Sequence, residues 1–276
     1  MKLAALQMVS GVERDVNLAR AGALLEAAAR EGAELAVLPE YFCLLGRQDV
    51  DKLALREPLG QGPIQDFLAR SARELGLWIV GGTLPLDGGT PIGGEPPRAY
   101  NSSLVYAPDG ERVARYDKIH LFHFDNGRER YDEARTLLPG REPVTFELPS
   151  RDGHRWRVGL SVCYDLRFPE LYRAHVQAGA ELLLVPSAFT HTTGQAHWEP
   201  LLRARAIENL AFVAAAAQGG QHENGRRTWG HTMQVDPWGR VLGVRPEGEG
   251  VVLAELDAAL LRQCRQQLPA LEHRVL

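Results

Sequence analysis

Short apolar runs alternate with helical patterns along the N-terminal part of the chain. KLAALQM is typical of a strand, residues 17–30 repeat apolar side chains at helical spacing, and LAVLP is again typical of a strand. The stripe of this first helix consists of Leu18, Ala21, Leu25 and Ala28, and Gly32 is placed to end it. With PIQDFLARSARELG and LWIVGG following, the order predicts βαβ units with helices covering a buried, largely parallel sheet.

The second half of the chain repeats part of the first. GAELAVLPEYF at residues 32–42 and GAELLLVPSAF at residues 179–189 share six of eleven residues, offset by 147 positions. A strand and a helix precede each copy, so KLAALQM corresponds to RVGLSVC by order of elements. Two ordinary βα units that converged on Gly-Ala-Glu are the alternative, but we favour duplication. Either way, the pattern predicts two layered sheets with outer helices.

A hairpin and further βα elements complete the pattern. NSSLVYA and RVARYDKI flank Pro108-Asp109-Gly110, whose proline and glycine suit a tight turn between antiparallel strands. The strand-like runs VTFELP, RWRVGLSVC, LLLVP and AFVAAAAQ follow, with helices predicted from Pro169 and around WEPLLRARAIENL. The βαβ order therefore resumes after the hairpin.

Reactive side chains follow the predicted strands directly. Cys163 closes VGLSVC, Glu40 follows LAVLP, and Ser187 takes the equivalent place after LLLVP. Lys118 lies near the end of RVARYDKI. Because ligands of open α/β sheets bind beyond the carboxyl ends of the strands, we expect these side chains to face one crevice.

Composition is that of an ordinary globular protein and narrows the function classes. The 276 residues are 45% hydrophobic and 24% charged, with a formal net charge of -4 and no long basic run, so we expect no nucleic-acid partner. No apolar stretch approaches the roughly 18 residues of a membrane span, and charge follows the N-terminus too early for a signal peptide. Three scattered cysteines form no disulfide framework. We therefore expect a cytoplasmic protein without a membrane partner.

Taken singly, the reactive residues have ordinary explanations. Cys163 suits a packed core cysteine, Glu40 a solvated acid, and Lys118 half of a surface ion pair. Around the cysteine, however, an apolar strand breaks abruptly into polar residues and a helix opens at Pro169. A nucleophile on such a turn presents its sulfur and the following backbone N–H to the same substrate atom.

Several blocks of sequence resemble the nitrilase, or carbon-nitrogen hydrolase, superfamily. The three signature blocks are Leu38-Pro39-Glu40, Tyr116-Asp117-Lys118-Ile119-His120-Leu121 and Val162-Cys163-Tyr164-Asp165-Leu166-Arg167-Phe168-Pro169-Glu170. The further matches are Tyr131-Asp132-Glu133, Pro186-Ser187-Ala188-Phe189, Ala196-His197-Trp198-Glu199 and Asp236-Pro237-Trp238-Gly239. The resemblance covers nearly the whole chain.

This resemblance implies an α/β fold, a four-layer α-β-β-α sandwich with an internal pseudo-two-fold repeat, in a single domain over residues 1–276. It also implies a catalytic triad of Glu40, Lys118 and Cys163 with Glu133 in support, and neither a metal nor another cofactor. Members commonly form dimers or larger assemblies. We therefore expect a homo-oligomer whose C-terminal tail, about residues 258–276, packs on a partner subunit.

The implied chemistry is hydrolysis of a primary carboxamide to acid and ammonia through a cysteine thioester. Glu40 takes the thiol proton, passes it to the leaving nitrogen and then activates water. The oxyanion is held by the Lys118 ammonium and the Tyr164 backbone N–H. Because Tyr164-Asp165 replaces the Trp-Glu typical of true nitrilases, the chain resembles the amidase branch.

Within that branch the chain is similar to deaminated glutathione amidases, with the omega-amidases that act on 2-oxoglutaramate as the alternative. An anionic substrate needs a cation, for which Arg167 is a candidate, although a structural ion pair would explain it equally. The other predicted substrate-binding residues are Ser187, Ala188, Phe189 and Thr190. Thr192 and Thr193 follow in the same predicted loop, where turn capping is the simpler explanation. Arg128 and Arg130 lie in HFDNGRER, a predicted pocket rim.

Three rival hypotheses remain open. Cys43 is a competing thiol, although a packed core cysteine explains it better, and Cys264 fits a helix. A Cys-His hydrolase would use His120, His191 or His197; His191 and His197 have poor spacing for zinc. The third is a catalytically silent member of the fold that binds a partner.

Overall fold

The computed structural model describes residues 1–90 and 96–275, which form two sheets and their flanking helices. The helices are α1 (Arg14–Arg30), α2 (Asp51–Ala54), α3 (Pro63–Leu75), α4 (Pro169–Gln177), α5 (His191–Asn209) and α6 (Ala258–Gln267), with 3-10 turns at Glu133–Arg135 and Cys163–Arg167. The strands of the first half are β1 (Lys2–Gln7), β2 (Leu35–Val37), β3 (Trp78–Val80), β4 (Leu84–Asp87), β5 (Ala99–Tyr106), β6 (Arg112–Asp117), β7 (His123–Asp125), β8 (Arg130–Asp132) and β9 (Leu137–Leu138). Those of the second half are β10 (Val144–Pro149), β11 (Arg155–Leu160), β12 (Leu182–Leu184), β13 (Phe212–Ala215), β14 (Gly219–Gln221), β15 (Arg227–Trp229), β16 (Thr232–Val235), β17 (Val241–Arg245) and β18 (Gly250–Glu255).

The two large sheets share the topology of their cores, although the first has eight strands, with β6 and β9 both pairing with β5, and the second has six. One has the order β18-β1-β2-β3-β5-β4 and the other β10-β11-β12-β13-β16-β17. In each, a parallel core of βαβαβ connectivity is flanked by antiparallel strands. Leu3 pairs with Leu35 in the first sheet, as Val158 pairs with Leu182 in the second. The predicted internal repeat and the correspondence of KLAALQM with RVGLSVC are confirmed.

Side chains that alternate between the two faces of each strand form the apolar layers of the sandwich. On β1, Leu3 and Ala5 join the core between the sheets, where Val158 and Leu160 of β11 also lie. The intervening Ala4 and Leu6 face the helical layer of α1 and α3. Because β-strand side chains point alternately to the two faces, each buried strand contributes to two apolar layers. The fold is the predicted α-β-β-α sandwich.

Helix α1 begins at Arg14, three residues before the predicted start. Its buried face contains Ala21, Leu25 and Ala28 as expected, together with the polar Asn17. The Asn17 amide accepts from the Gly11 N–H at 2.8 Å and donates to the Gly11 and Cys43 carbonyls. This buried amide holds the preceding loop against the helix, which an apolar periodicity alone could not reveal.

Helix α5 corrects the predicted loop at Thr190, Thr192 and Thr193. The helix starts at His191, and Thr190 is its N-cap, with a hydroxyl that accepts from the Thr193 N–H at 3.4 Å. The sequence does not predict this first turn as helical, because its polar residues and Gly194 are poor helix formers. The capping explanation is therefore correct, and the helix continues through Pro200.

The predicted hairpin is confirmed, with β5 and β6 antiparallel on either side of the Pro108-Asp109-Gly110 turn. At the C-terminus, α6 packs on its own chain: the Arg265 guanidinium donates to the carbonyls of Leu210 and Ala180. Association of the tail with a partner subunit stays a prediction, and its last residue, 276, lies outside the described residues. In the described ranges, no helix is both long and apolar enough to cross a bilayer.

Candidate active site

Glu40, Lys118 and Cys163 meet at the carboxyl ends of the strands that precede them. Glu40 follows β2, Lys118 follows β6, and Cys163 follows β11. The Lys118 ammonium lies 2.9 Å from a carboxylate oxygen of Glu40, and the two side chains are each only 1% exposed. Cys163 is 8% exposed and faces the same pocket. The convergence expected from the strand ends is therefore present.

The backbone turns sharply at Cys163. This residue has a φ of 49°, in the left-handed region that a side chain other than glycine's seldom adopts. Its N–H donates to the Pro186 carbonyl at 2.9 Å, and a 3-10 turn continues from it to Arg167. A strained turn that presents the sulfur at the end of a strand is typical of nucleophiles.

The Glu40 carboxylate is held by three donors. One oxygen accepts from Lys118 and from the Asn101 side-chain amide at 2.9 Å, and the other accepts from the Ala188 backbone N–H at 2.9 Å. Ala188 was predicted on the substrate side, but its amide serves to orient this carboxylate. Sequence reasoning missed Asn101, which lies on β5 and whose carbonyl accepts from the Lys118 N–H at 3.0 Å.

Glu133 lies on the opposite side of Lys118. One of its oxygens is 2.8 Å from the Lys118 ammonium, and the carboxylate also accepts from the Tyr41 hydroxyl at 2.8 Å and the Phe122 N–H at 2.7 Å. Burial opposes a charged Lys118, but Glu133 and Glu40 outweigh it and raise its pKa well above the usual value. Burial likewise opposes a charged Glu133, and Lys118 prevails to lower its pKa.

The surroundings of Cys163 favour the neutral form of its thiol. Burial, followed by the negative charge of Glu40, raises the pKa of Cys163 well above its usual value, and only Lys118 opposes the shift appreciably. The sulfur consequently needs a base that removes its proton when the substrate arrives. Glu40, which lines the same pocket and whose charge acts on this thiol, is placed to be that base.

Asp165 ties the Cys163 turn to the segment that carries Lys118. This carboxylate is fully buried and accepts from the Tyr116 hydroxyl at 2.7 Å, the His120 N–H at 3.0 Å and the Val162 N–H at 2.8 Å. The His120 ring adds a contact of 2.7 Å. Tyr116 and His120 flank Lys118 in sequence, so one carboxylate fixes the Cys163 turn relative to the lysine.

The pocket encloses about 360 Å³, including its open mouth. Of the predicted substrate-binding residues, Arg167, Ala188, Phe189 and Thr190 line it. Ser187 does not: it is fully buried, and its hydroxyl donates to the Val185 carbonyl at 3.1 Å.

Arg226 and Phe122 also line the pocket, and sequence reasoning missed both. Phe122 directly precedes the β7–β8 hairpin, which contains the predicted rim segment. Of that segment's arginines, Arg130 pairs with Asp125 at 3.7 Å, and neither Arg128 nor Arg130 lines the pocket.

The rival sites are not assembled. In the described part of the chain no histidine lines the pocket: His120 contacts Asp165, His197 contacts Arg167, and His191 packs on Trp229. Nor do the described residues contain a cluster of three or more side chains able to hold a metal.

The other two cysteines are also away from this site. Cys43 is buried beside the Thr83 carbonyl, and desolvation raises its pKa to about 12. Cys264 lies in α6, as predicted. Cys163 is therefore the thiol that reaches the pocket.

Comparison with known proteins was made on sequence and on structure. The profile of the carbon-nitrogen hydrolase family matches residues 2–266. A deaminated glutathione amidase from Synechocystis is 41% identical over 274 residues, covering 99% of this chain and 97% of that protein. An omega-amidase from Danio rerio is 37% identical over 276 residues, covering 99% and 94%. The crystal structure of the C. elegans NitFhit protein superposes with a TM-score of 0.86 at 36% identity, covering 99% of this chain and 65% of that longer one.

Proposed function

The chain belongs to the carbon-nitrogen hydrolase family and is an amidase, and we propose that it hydrolyses amides of 2-oxo dicarboxylic acids, with deaminated glutathione as the principal substrate. The observation that carries the mechanism is the buried contact between Lys118 and Glu40 beside the neutral thiol of Cys163. This pair supplies both a base and a fixed cation where a carbonyl would meet the sulfur. The specific substrate is suggested by the similar proteins that carry this activity in their names.

In the first half-reaction, Glu40 takes the proton of the Cys163 thiol while the sulfur attacks the amide carbon. The oxyanion formed accepts from the Lys118 ammonium and the Tyr164 N–H. Within the described residues that N–H has no other acceptor, which supports this role. Glu40 then passes its proton to the amide nitrogen, the carbon-nitrogen bond breaks, and a thioester on Cys163 remains.

In the second half-reaction, Glu40 takes a proton from water and the hydroxide adds to the thioester carbon. The same two donors hold the new oxyanion. Its collapse expels the Cys163 sulfur, which recovers a proton from Glu40, and the acid leaves. Glu133 keeps Lys118 charged throughout, since its carboxylate raises the pKa of that lysine.

The candidate substrates share an acyl group and differ in their leaving group. In deaminated glutathione the amide nitrogen belongs to a cysteine residue, so this amide is secondary, unlike the primary carboxamide expected from the sequence, and its hydrolysis gives 2-oxoglutarate and cysteinylglycine. The primary amide of 2-oxoglutaramate gives 2-oxoglutarate and ammonia. The omega-amidase reaction is the second candidate, favoured by the similarity to a named omega-amidase. In both cases Arg167, which lines the pocket, is proposed to bind the 2-oxo acid carboxylate.

The test measures release of 2-oxoglutarate, the product common to both reactions, and of ammonia. Deaminated glutathione, 2-oxoglutaramate, glutamine, simple aliphatic amides and nitriles are compared with the wild-type chain and Cys163→Ala. We expect the highest kcat/KM with deaminated glutathione and no detectable turnover without the sulfur. Wild-type activity in Cys163→Ala, or release from nitriles alone, contradicts the proposal. Turnover of none of these compounds favours the catalytically silent, partner-binding member of the fold.

We also propose a cytoplasmic homo-oligomer, as members of the family commonly assemble. Light scattering of the purified protein gives the mass directly. A monomeric mass at micromolar concentration contradicts the assembly and, with it, a role for the tail on a partner subunit.

A further inference from the structure

Two arginines line the pocket without a carboxylate partner. Arg167 contacts the His197 ring nitrogen at 3.2 Å, and Arg226 lies over the Tyr131 ring at 4.9 Å. In the described part of the chain neither guanidinium forms an ion pair with an acid. The pocket acids, Glu40 and Glu133, are both engaged by Lys118. Two uncompensated positive charges therefore face the pocket, and an anionic ligand would neutralise them.

The two guanidiniums stand at opposite ends of a row of aromatic rings. From Arg226 the row continues through Tyr131, Phe122 and Tyr164 to Arg167, with ring centroids 5.6 and 5.1 Å apart and the Arg167 guanidinium 5.8 Å from the last ring. One carboxylate cannot reach both ends of such a row. Two separate cations in one pocket suit a ligand that has two carboxylates.

Arg226 is held in place by its own loop. Its N–H is fixed by the Asn224 side chain at 2.9 Å, and its carbonyl accepts from the His222 N–H at 2.8 Å. Asn224 in turn donates to the Gly46 carbonyl at 2.6 Å, in the other half of the molecule. Its neighbour Arg227 differs: that side chain is exposed and pairs with Glu247 at 2.8 Å.

We propose that Arg226 binds a carboxylate on the leaving-group side of the scissile amide, which makes the pocket selective for dianionic substrates. This inference rests on the proposed function. The acyl chain stays attached to Cys163 after the amine departs, and Arg167 ends the 3-10 turn that begins at Cys163, so the acyl carboxylate belongs to Arg167. Arg226 then takes the terminal carboxylate of the departing amine.

The charges of the candidate substrates agree with this assignment. Deaminated glutathione has the length of a tripeptide and has a carboxylate at each end. 2-Oxoglutaramate has the length of one residue and one carboxylate. Arg226 would therefore contact a carboxylate of deaminated glutathione but would have no carboxylate to bind in 2-oxoglutaramate.

The experiment removes the charge from each partner in turn. The kcat/KM of the wild type and of Arg226→Gln is measured with deaminated glutathione, with its analogue in which the glycine carboxylate is a carboxamide, and with 2-oxoglutaramate. We expect Arg226→Gln to lose roughly tenfold or more with deaminated glutathione only, and the wild type to lose a similar factor with the carboxamide analogue. Arg226→Gln assayed with the carboxamide analogue should lose little more kcat/KM than either change alone, because both changes remove the same contact.

Arg227→Gln is the matched control and should keep all three kcat/KM values, while Arg226→Lys should recover part of the loss. Melting temperatures show whether each variant is folded. An equal fall for all three substrates, or no fall with deaminated glutathione, overturns the assignment of Arg226. Failure of the proposed function looks different, because the wild type itself would then release no 2-oxoglutarate.

Discussion

The two halves of the molecule share a frame but differ at the ends of their strands. In the first half β1 leads to Met8 and β2 to Glu40; in the second, β11 leads to Cys163 and β12 to Ser187. Met8 and Ser187 are fully buried, whereas Glu40 and Cys163 line the pocket. At these four strand ends, each half supplies one reactive group and one packed residue, on strands that are not equivalent in the repeat; Lys118 and Glu133 are further reactive groups from the first half.

This difference shows where the chemistry arises. The equivalent strands keep the same pairing in both halves, so the frame does not distinguish them. The proposed catalytic centre lies where the halves meet, since the Ala188 N–H of the second half fixes Glu40 of the first. Asp165 of the second half likewise fixes Tyr116 and His120 of the first. Substitutions that remove these contacts one at a time test the division of roles between the halves.

Replacing Glu40 by Gln removes the reactive group of the first half and should have the largest effect. We expect kcat/KM to fall by roughly 10²–10⁴ because the general base is lost. The same change removes the negative charge that, after burial, raises the pKa of Cys163, while Lys118 remains. The pKa of Cys163 therefore falls, and alkylation by iodoacetamide near pH 7 becomes faster than in the wild type.

In Glu40→Gln, turnover should fall while alkylation of Cys163 becomes faster. Peptide mapping distinguishes Cys163 from Cys43 and Cys264, whose labelling should not change. The pH profile of Cys163 labelling should move to lower pH in Glu40→Gln. Slower labelling of Cys163 in the variant would contradict the charge relation between the two residues.

The strands and helices were predictable from the sequence because periodic patterns of apolar residues mark them. Apolar runs at strand length, helical stripes and a repeated Gly-Ala-Glu segment gave the elements, and the resemblance gave the sandwich and the residues Glu40, Lys118, Glu133 and Cys163. What was missed depends on contacts between distant segments. The Asn101 amide that orients Glu40, and Arg226 at the pocket wall, have no local pattern that marks them.

The incorrect predictions for Thr192, Thr193 and Ser187 also arise from contacts that the local sequence does not mark. Thr192 and Thr193 read as a loop because a capped helical turn that contains Gly194 has no apolar stripe. Ser187 was placed on the substrate side by its equivalence to Glu40. The backbone of Ser187 corresponds to that of Glu40, but the side chains differ in direction, because the Ser187 hydroxyl donates to the Val185 carbonyl.

Asp165→Asn should have the next largest effect, by loosening the tie between the halves. A neutral amide cannot accept all the hydrogen bonds that reach this buried carboxylate, so we expect unfolding free energy to fall by about 1–3 kcal/mol. Urea denaturation measures it, and kcat should fall as the Cys163 turn loses its position relative to Lys118. Asp117→Asn is the control, since Asp117 is partly exposed and should change stability by less. Equal losses in the two variants would contradict the role given to Asp165.

Ser187→Ala should have the smallest effect, although Ser187 occupies the place that Glu40 has in the other half. The variant loses one hydrogen bond, from the hydroxyl to the Val185 carbonyl, and leaves no large cavity. We expect less than about 1.5 kcal/mol of destabilisation and a kcat/KM within about threefold of the wild type. A tenfold fall in kcat/KM at an unchanged melting temperature would instead place the Ser187 hydroxyl on the substrate. The two halves would then share the chemistry at this strand end, and the division of roles between them would be wrong.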